Sequence, residues 1–424
     1  MSELKYWVWL ASLKNVRSRS KKLLLEQLGG AREVYFARTG DYDRLDFLRD
    51  DEREALANKD ADYAKRVIDI CSRRDIAIIT LRDAAYPLRL AEIYDPPLAL
   101  YVRGKLPPLD DICAVAVVGT RGASPYGLKM AQRMGYGIAK CGGAVVSGLT
   151  RGVDAAAARG ALLAGGRCIG VLGTAIDTEY PTESIANDVA IFGALVSEYA
   201  PGTHTSPHFF RQRNRITSGL SAAALVVEAP AKSGALLFAD EALNQGREVF
   251  AVPANADSVN AEGSNRLLME GAHPAVDAWD ILGEFAERFP NLSENGMDSR
   301  LPAELVEEGI RTAEKTGVPD LDENRTSRKQ KAKKAPGKPV EKKKDIDKPE
   351  PEEYIDLVKQ LEGLSTEQLT IVSAITGPHT HVDDIIERTG LPSALVLSEL
   401  TMLRIKGCVI DEPGKRFSLN ISQK

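Results

Sequence analysis

The sequence is short of several things, and each shortage removes a class of function. No apolar run approaches the ~20 residues that a helix needs to cross a bilayer, so no membrane partner is expected. The first residues, MSELKYWVWLASLKNVRSRS, carry neither a long apolar stretch nor a small-residue cleavage site, so no signal peptide is read there. Cysteine is sparse. Cys71, Cys113, Cys141, Cys168 and Cys408 are an odd set without C-x-x-C spacing. Cys113 and Cys168 fall in or beside strand-like runs and read as small core residues. Together these features point to a reduced, cytoplasmic protein. Histidine is scarcer still in information: His204 and His208 are four apart, His379 and His381 two apart, and neither pair has a convincing third ligand. No metal is therefore assigned. No G-x-x-x-x-G-K-[ST] occurs, and no nucleophile–base arrangement stands out, so neither a cofactor nor a catalytic residue is assigned. Excess positive charge is lacking too. With a net charge of −5, a nucleic-acid binder must concentrate its cations locally.

What is present is organised around residues 115–154. An apolar run, Ile112 to Val118, stops on Gly119-Thr120-Arg121. Pro125 then opens a helical pattern with Met130, Met134 and Ile138 on one side, and Gly142-Gly143 ends it. A second run, Ala144 to Val146, stops on Ser147-Gly148, and another helix begins near Gly152. Short apolar runs alternating with helices predict an α/β protein with a mostly parallel sheet and helices on both faces. Two such turns would face one crevice, where ligands bind in open α/β sheets. Backbone N–H groups at helix starts favour anions. Arg121 and Arg151 add full charges, so a phosphate is the expected ligand. The weaker alternative is that the glycines only serve tight turns.

The motifs VAVVGTRGASPYG, VVSGLTRGVDAAAARGAL, VLGTAIDTEYP, FRQRNRITSGLSAAALVVEA, SGALLFADEALNQGREVFAVP and GSNRLLMEGA occur in that order. This series resembles the DNA-processing protein A family (DprA, also called Smf), nearly continuously over residues 112–272. The resemblance implies a Rossmann-like fold and single-stranded DNA as partner. It also implies a non-enzymatic role: protecting incoming DNA in natural transformation and helping to load the RecA recombinase, as a homodimer. The candidate phosphate-binding residues are Gly119, Thr120, Arg121, Ser147, Gly148, Arg151, Gly152, Arg211, Arg213, Asn214, Arg215, Lys232, Ser233 and Gly234. Asp154 and Asn265 are read as structural at the pocket, with Asp154 accepting hydrogen bonds from its own turn. Ala158, Ser184 and Ala254 depart from the family's pattern.

Residues 1–80 read as a helical, helix-hairpin-helix-like domain. Its first connection is Lys14-Asn15-Val16-Arg17-Ser18 rather than a glycine hairpin. A packing role is therefore expected there, despite Arg17, Arg19, Lys21 and Lys22. Residues 81–287 form the Rossmann-like domain. Residues 288–351 read as a disordered charged linker, including RTSRKQKAKKAPGKPVEKKK. Residues 352–424 read as a winged helix whose third helix carries Arg404 and Lys406 only at its end, which is poor for phosphate binding. The rival function is a Rossmann-like nucleotide-binding protein or a nucleotide N-glycosidase. Such glycosidases carry P-G-G-x-G-T-x-x-E at the turn where this chain has EAPAKSGALLFADEA.

Overall fold

The computed structural model describes residues 3–178, 183–298, 364–375, 379–412 and 415–419. Two compact units divide the chain, residues 1–316 and 317–424.

The first unit begins with six helices: α1 (Leu4–Ser12), α2 (Ser18–Leu28), α3 (Ala31–Phe36), α4 (Thr39–Asp43), α5 (Asp50–Ala57) and α6 (Asp62–Arg73). Trp9, Leu10, Leu24, Val34, Tyr42, Leu56 and Val67 are buried in them. Gly29 ends α2 at φ 97°, a left-handed cap that favours glycine. The four basic residues around its first connection, Arg17, Arg19, Lys21 and Lys22, are engaged internally. Arg17 forks onto the buried Glu52 at 2.7 and 2.9 Å, and its presence helps hold that carboxyl down to about 2 against the cost of burial. Lys21 donates to the Ala11 carbonyl, Lys22 to the Ile93 carbonyl, and Arg19 lies over the Tyr94 ring.

Next come β1 (Ala77–Thr80), α7 (Leu88–Ala91), β2 (Ala99–Gly104), β3 (Ala114–Val118), α8 (Pro125–Lys140), β4 (Ala144–Ser147), α9 (Val153–Leu163), β5 (Arg167–Val171) and α10 (Glu183–Phe192). The unit continues with β6 (Ala194–Ser197), α11 (Pro207–Gly219), β7 (Ala223–Val226), α12 (Gly234–Asn244), β8 (Glu248–Ala251), α13 (Glu262–Met269), β9 (His273–Pro274) and α14 (Trp279–Leu282). The nine strands form one sheet in the order β1-β2-β6-β5-β4-β3-β7-β8-β9. β1, β2 and β6 pair antiparallel; every other neighbour is parallel. β1 thus belongs to the sheet, and a domain boundary after residue 80 separates it from its partner β2. β1 and β2 extend the sheet at one edge, where the short apolar runs Ile76–Leu81 and Leu98–Val102 already read as strands.

The central strands read as continuous apolar runs because both faces are covered. Alternate residues such as Ala116, Val118, Val146 and Val226 pack under α7, α11 and α12. The other face meets α8, α9 and α10. α8 and α9 touch backbone to backbone. A Cβ on Gly135 would overlap the Ala157 carbonyl, and one on Gly160 would overlap the Gln132 carbonyl. Residues 288–298 pack against the sheet domain rather than starting a linker. Phe289 is buried, and the Ser293 N–H donates to the Cys141 carbonyl at 3.0 Å. Gly296 also packs on the Lys140 carbonyl, and Gly142 on the Asn291 carbonyl. The rest of the expected linker lies outside the described residues. All five cysteines are free and buried. No helix among the described residues is long and apolar enough to cross a membrane.

In the second unit, α15 (Thr366–Ala374), β10 (Thr380–His381), α16 (Val382–Thr389), α17 (Ser393–Ile405), β11 (Val409–Glu412) and β12 (Arg416–Leu419) build a winged helix. Ser365 caps α15 by accepting from the Gln368 N–H. Ile371, Ile385, Val396, Leu400, Leu403 and Phe417 form its core.

Candidate anion-binding crevice

The parallel strands all run the same way, so the turns after β3, β4, β5 and β7 share one edge of the sheet. From β3 the chain proceeds outward through β4, β5 and β6, then returns to β7 on the other flank of β3. A crevice opens where strand order reverses in this way.

Glycine lets the turns close on one another. Gly119 packs on Val153 and the Glu228 carbonyl, leaving no room for a Cβ. Gly152, at φ 83°, presses on the Thr120 carbonyl. The space a side chain would take at Gly148 is filled by the Arg213 guanidinium. Arg213 is 7% exposed, its Nη1 donates to the Val171 carbonyl at 2.9 Å, and its Nε is buried without a hydrogen-bond partner. It forms a cationic floor under the β4 turn. Above it stands Arg121, half-buried, with its guanidinium carbon 5.9 Å from the centre of the Phe210 ring. Arg151 is half-buried on the second turn.

Two of the turns in this crevice are tied down by the protein's own carboxylates. Glu228, 1% exposed, accepts from the Ser124 N–H at 2.7 Å and the Ser124 hydroxyl at 2.6 Å at the start of α8. The Thr120 N–H donates to the Glu228 carbonyl at 2.8 Å. At α9, Asp154 accepts from the Thr150 hydroxyl at 3.0 Å and its N–H at 3.4 Å. Ser147, fully buried, accepts from the Leu149 N–H and donates to the Asp154 carbonyl. Of the turn N–H groups, those of Thr120, Ser124, Leu149 and Thr150 are thus already held by the protein's own acceptors. A buried helix start needs an acceptor for its N–H groups and favours negative charge, and here side chains supply both. Burial raises the Asp154 carboxyl, with Arg213, Thr150 and Arg121 acting against that rise.

The arginines of α11 part company. Arg211 is exposed and Asn214 half-buried. Arg215 is 7% exposed and points away from Arg213, pairing with Glu198 and, at 3.2 Å, with Asp95. It is neutralised, so it does not extend an exposed cationic track, and Arg213 lies beneath the crevice instead of along it. Helix residues two apart do not share a face, and this spacing separates the two. At the third turn, Lys232 is exposed, Ser233 caps α12 by accepting from the Ala235 N–H at 3.2 Å, and Gly234 faces open space. Asn265 clasps the turn after β8, donating to the Ala254 and Asn255 carbonyls and accepting from the Ala254 N–H.

Two contributors escaped sequence reasoning. Glu228 reads as turn chemistry after β7, and its acidic character directly after an apolar run is the signal that it is held in place. Phe210 backs Arg121 and lies against Gly173, while its neighbour Phe209 stacks on Tyr199 with ring centres 3.8 Å apart. Among the described residues, no three His, Cys, Asp or Glu side chains converge on a metal position.

A mostly parallel α/β sheet with arginines gathered at its strand reversal, in a chain that also carries a winged helix, defines a protein of the Rossmann-like class. Residues 77–286 match the family described as DNA recombination-mediator protein A, and residues 358–415 match the DprA winged helix domain. The chain belongs to that family. It is 37% identical over 225 residues to DNA processing protein DprA of Bacillus subtilis, covering 53% of this chain and 76% of the relative. It is 32% identical over 344 residues to protein Smf of Synechocystis, covering 80% and 79%. The X-ray structure of DNA processing protein A from Streptococcus pneumoniae superposes with a TM-score of 0.59 at 30% identity, covering 67% of this chain and 99% of that one.

Proposed function

We propose that this protein is a non-enzymatic single-stranded DNA-binding protein that protects incoming strands in natural transformation and helps to load RecA. The observation that carries the reading is the crevice itself: Arg121 set against Phe210, above a buried Arg213 that retains an unused donor. A guanidinium binds phosphate oxygens in any sequence context. The half-buried rings beside it offer faces on which unpaired bases can stack. The names of the relatives, DNA processing proteins, support the same substrate class.

The non-enzymatic part is supported by the carboxylates. Glu228 and Asp154 are spent on Ser124 and Thr150, which leaves neither placed as a general acid or base. Action in the cytoplasm, as a homodimer, belongs to the same proposal. In the winged helix, Arg404 pairs with Asp411 at 3.3 Å and Lys406 donates to Gln368 at 2.9 Å. These pairings favour a protein-contact or regulatory role for that unit over phosphate binding. A gel shift with single- and double-stranded DNA of one sequence tests the reading. Retardation of the single strand at much lower protein concentration is expected; equal retardation of the duplex would refute it.

A further inference from the structure

At the opposite end of the sheet from the crevice, two arginines lie against one aromatic ring and a third adjoins the first of them. Arg89, on α7, is 4% exposed. Its guanidinium carbon lies 5.7 Å from the centre of the Phe289 ring, and that of Arg288 lies 5.3 Å from it. Arg247, just before β8, donates through Nη2 to the Arg89 carbonyl at 2.9 Å and to the Gly219 carbonyl at 3.4 Å.

Little negative charge answers them. The Asp110 carboxylate comes within 3.5 Å of Arg89 Nε. Its oxygens already accept from the Leu88 N–H at 2.8 Å and the Arg89 N–H at 3.3 Å, where they close the first turn of α7. Glu92 is exposed. Arg89 Nη2 donates to the Ile112 carbonyl at 3.3 Å, but Nε and Nη1 of Arg89 and Nε of Arg247 are buried without a hydrogen-bond partner. Burial, then the neighbouring Arg288 and Arg247, hold Arg89 below its ordinary value in spite of Asp110. Each buried donor left unmade costs about 1–3 kcal/mol, and more when charged, so such groups call for an acceptor.

We propose that Arg89, Arg247 and Arg288 form a second oxyanion site that takes a phosphate group. Three neighbouring guanidinium groups match the several oxygens and the double charge of phosphate better than a single carboxylate. The site is distinct from the crevice. Ile112 and Gly119 lie at opposite ends of β3, seven residues apart, which at ~3.3 Å per residue is on the order of 20 Å. The phosphate comes either from a nucleic-acid backbone or from the free ion.

The test is thermal melting of the full chain, titrated with inorganic phosphate at constant ionic strength. The wild type shows a saturable rise in Tm, and Arg121→Ala keeps it. Arg288→Glu weakens the apparent phosphate affinity by about fivefold or more, roughly 1 kcal/mol. Arg288 is exposed, so this variant folds even where Arg89→Met does not. Two oligonucleotides identify the source, one filling only the crevice and one several times longer. Weaker binding of the longer one alone by Arg288→Glu assigns the phosphate to nucleic acid. Unchanged binding of both assigns it to the free ion, and either result supports the site. No saturable response in the wild type overturns it, as does Arg288→Glu titrating like the wild type. Loss of the response in Arg121→Ala would move the ion to the crevice, overturning the second site while leaving the DNA reading intact.

Discussion

Arg213 and Arg215 stand two positions apart on α11 and do opposite work. Arg215 is locked between Glu198 and Asp95, so its removal leaves carboxylates without their counter-ion. Breaking a buried pair from one side costs about 3–5 kcal/mol. Arg215→Ala is accordingly expected to lower urea stability by that order. Arg213→Ala is expected to weaken DNA binding while costing less stability, because the buried Asp154 that it faces keeps its Thr150 hydrogen bonds and is already raised toward its neutral form. Equal stability losses in the two variants would contradict this division. Asp154 adds a pH dependence. Its carboxyl is raised above the ordinary range by burial, so it takes up a proton before exposed carboxyls do as pH falls. Protonation removes a negative charge beside Arg213 and Arg121, and phosphate binding tightens. The same raised value means that the folded state gains stability as pH falls through it, and loses that gain as pH rises again. Affinity for single strands should rise from pH 7 toward the carboxylate range in the wild type, and Asp154→Asn should flatten that rise. An identical pH profile in Asp154→Asn would show that other groups set it.

At the scale of elements, the α8–α9 packing fixes where both crevice turns emerge. Gly135 and Gly160 let the two helix backbones touch, and a methyl at either position meets a carbonyl that cannot retreat. Gly160→Ala should destabilise by about 1–3 kcal/mol, the usual effect of overpacking, as read from the midpoint of urea unfolding. An unchanged midpoint would mean that the helices slide apart freely. The parallel strands and their helices were legible in the sequence because apolar runs ending on Gly119, Ser147-Gly148 and Gly173 mark buried strands feeding turns. The side on which a charged residue lies was less legible. FRQRNR reads as one cationic cluster along the chain, and only the helix turn of α11, together with Glu198 and Asp95 brought in from distant segments, separates floor from ion pair. Glu228 at the start of α8 was hidden for the same reason, since it is 104 residues from Ser124. The pairing of β2 with β6 and the packing of Phe289 likewise depend on segments that are far apart in the chain.

For the whole molecule, the cations of the crevice lie within the first unit, while Arg404 and Lys406 of the second are engaged by Asp411 and Gln368. A chain truncated after Glu287 lacks the buried Phe289 and the Ser293–Cys141 hydrogen bond, so its stability should fall; a chain truncated after Asp298 keeps both. The longer chain of the two should retain most single-strand affinity. A fall beyond about tenfold, roughly 1.4 kcal/mol, in a folded protein would place essential DNA-binding groups in the removed part. The central claim is that Arg121 binds the phosphate chain of single-stranded DNA in the crevice. Its most direct test is fluorescence anisotropy of a labelled single strand against salt concentration, for the wild type and Arg121→Ala. Arg121→Ala should bind every sequence more weakly, with a salt slope flatter by about 0.7 for each phosphate that the variant no longer neutralises. A folded Arg121→Ala protein with unchanged affinity and unchanged slope would contradict the claim.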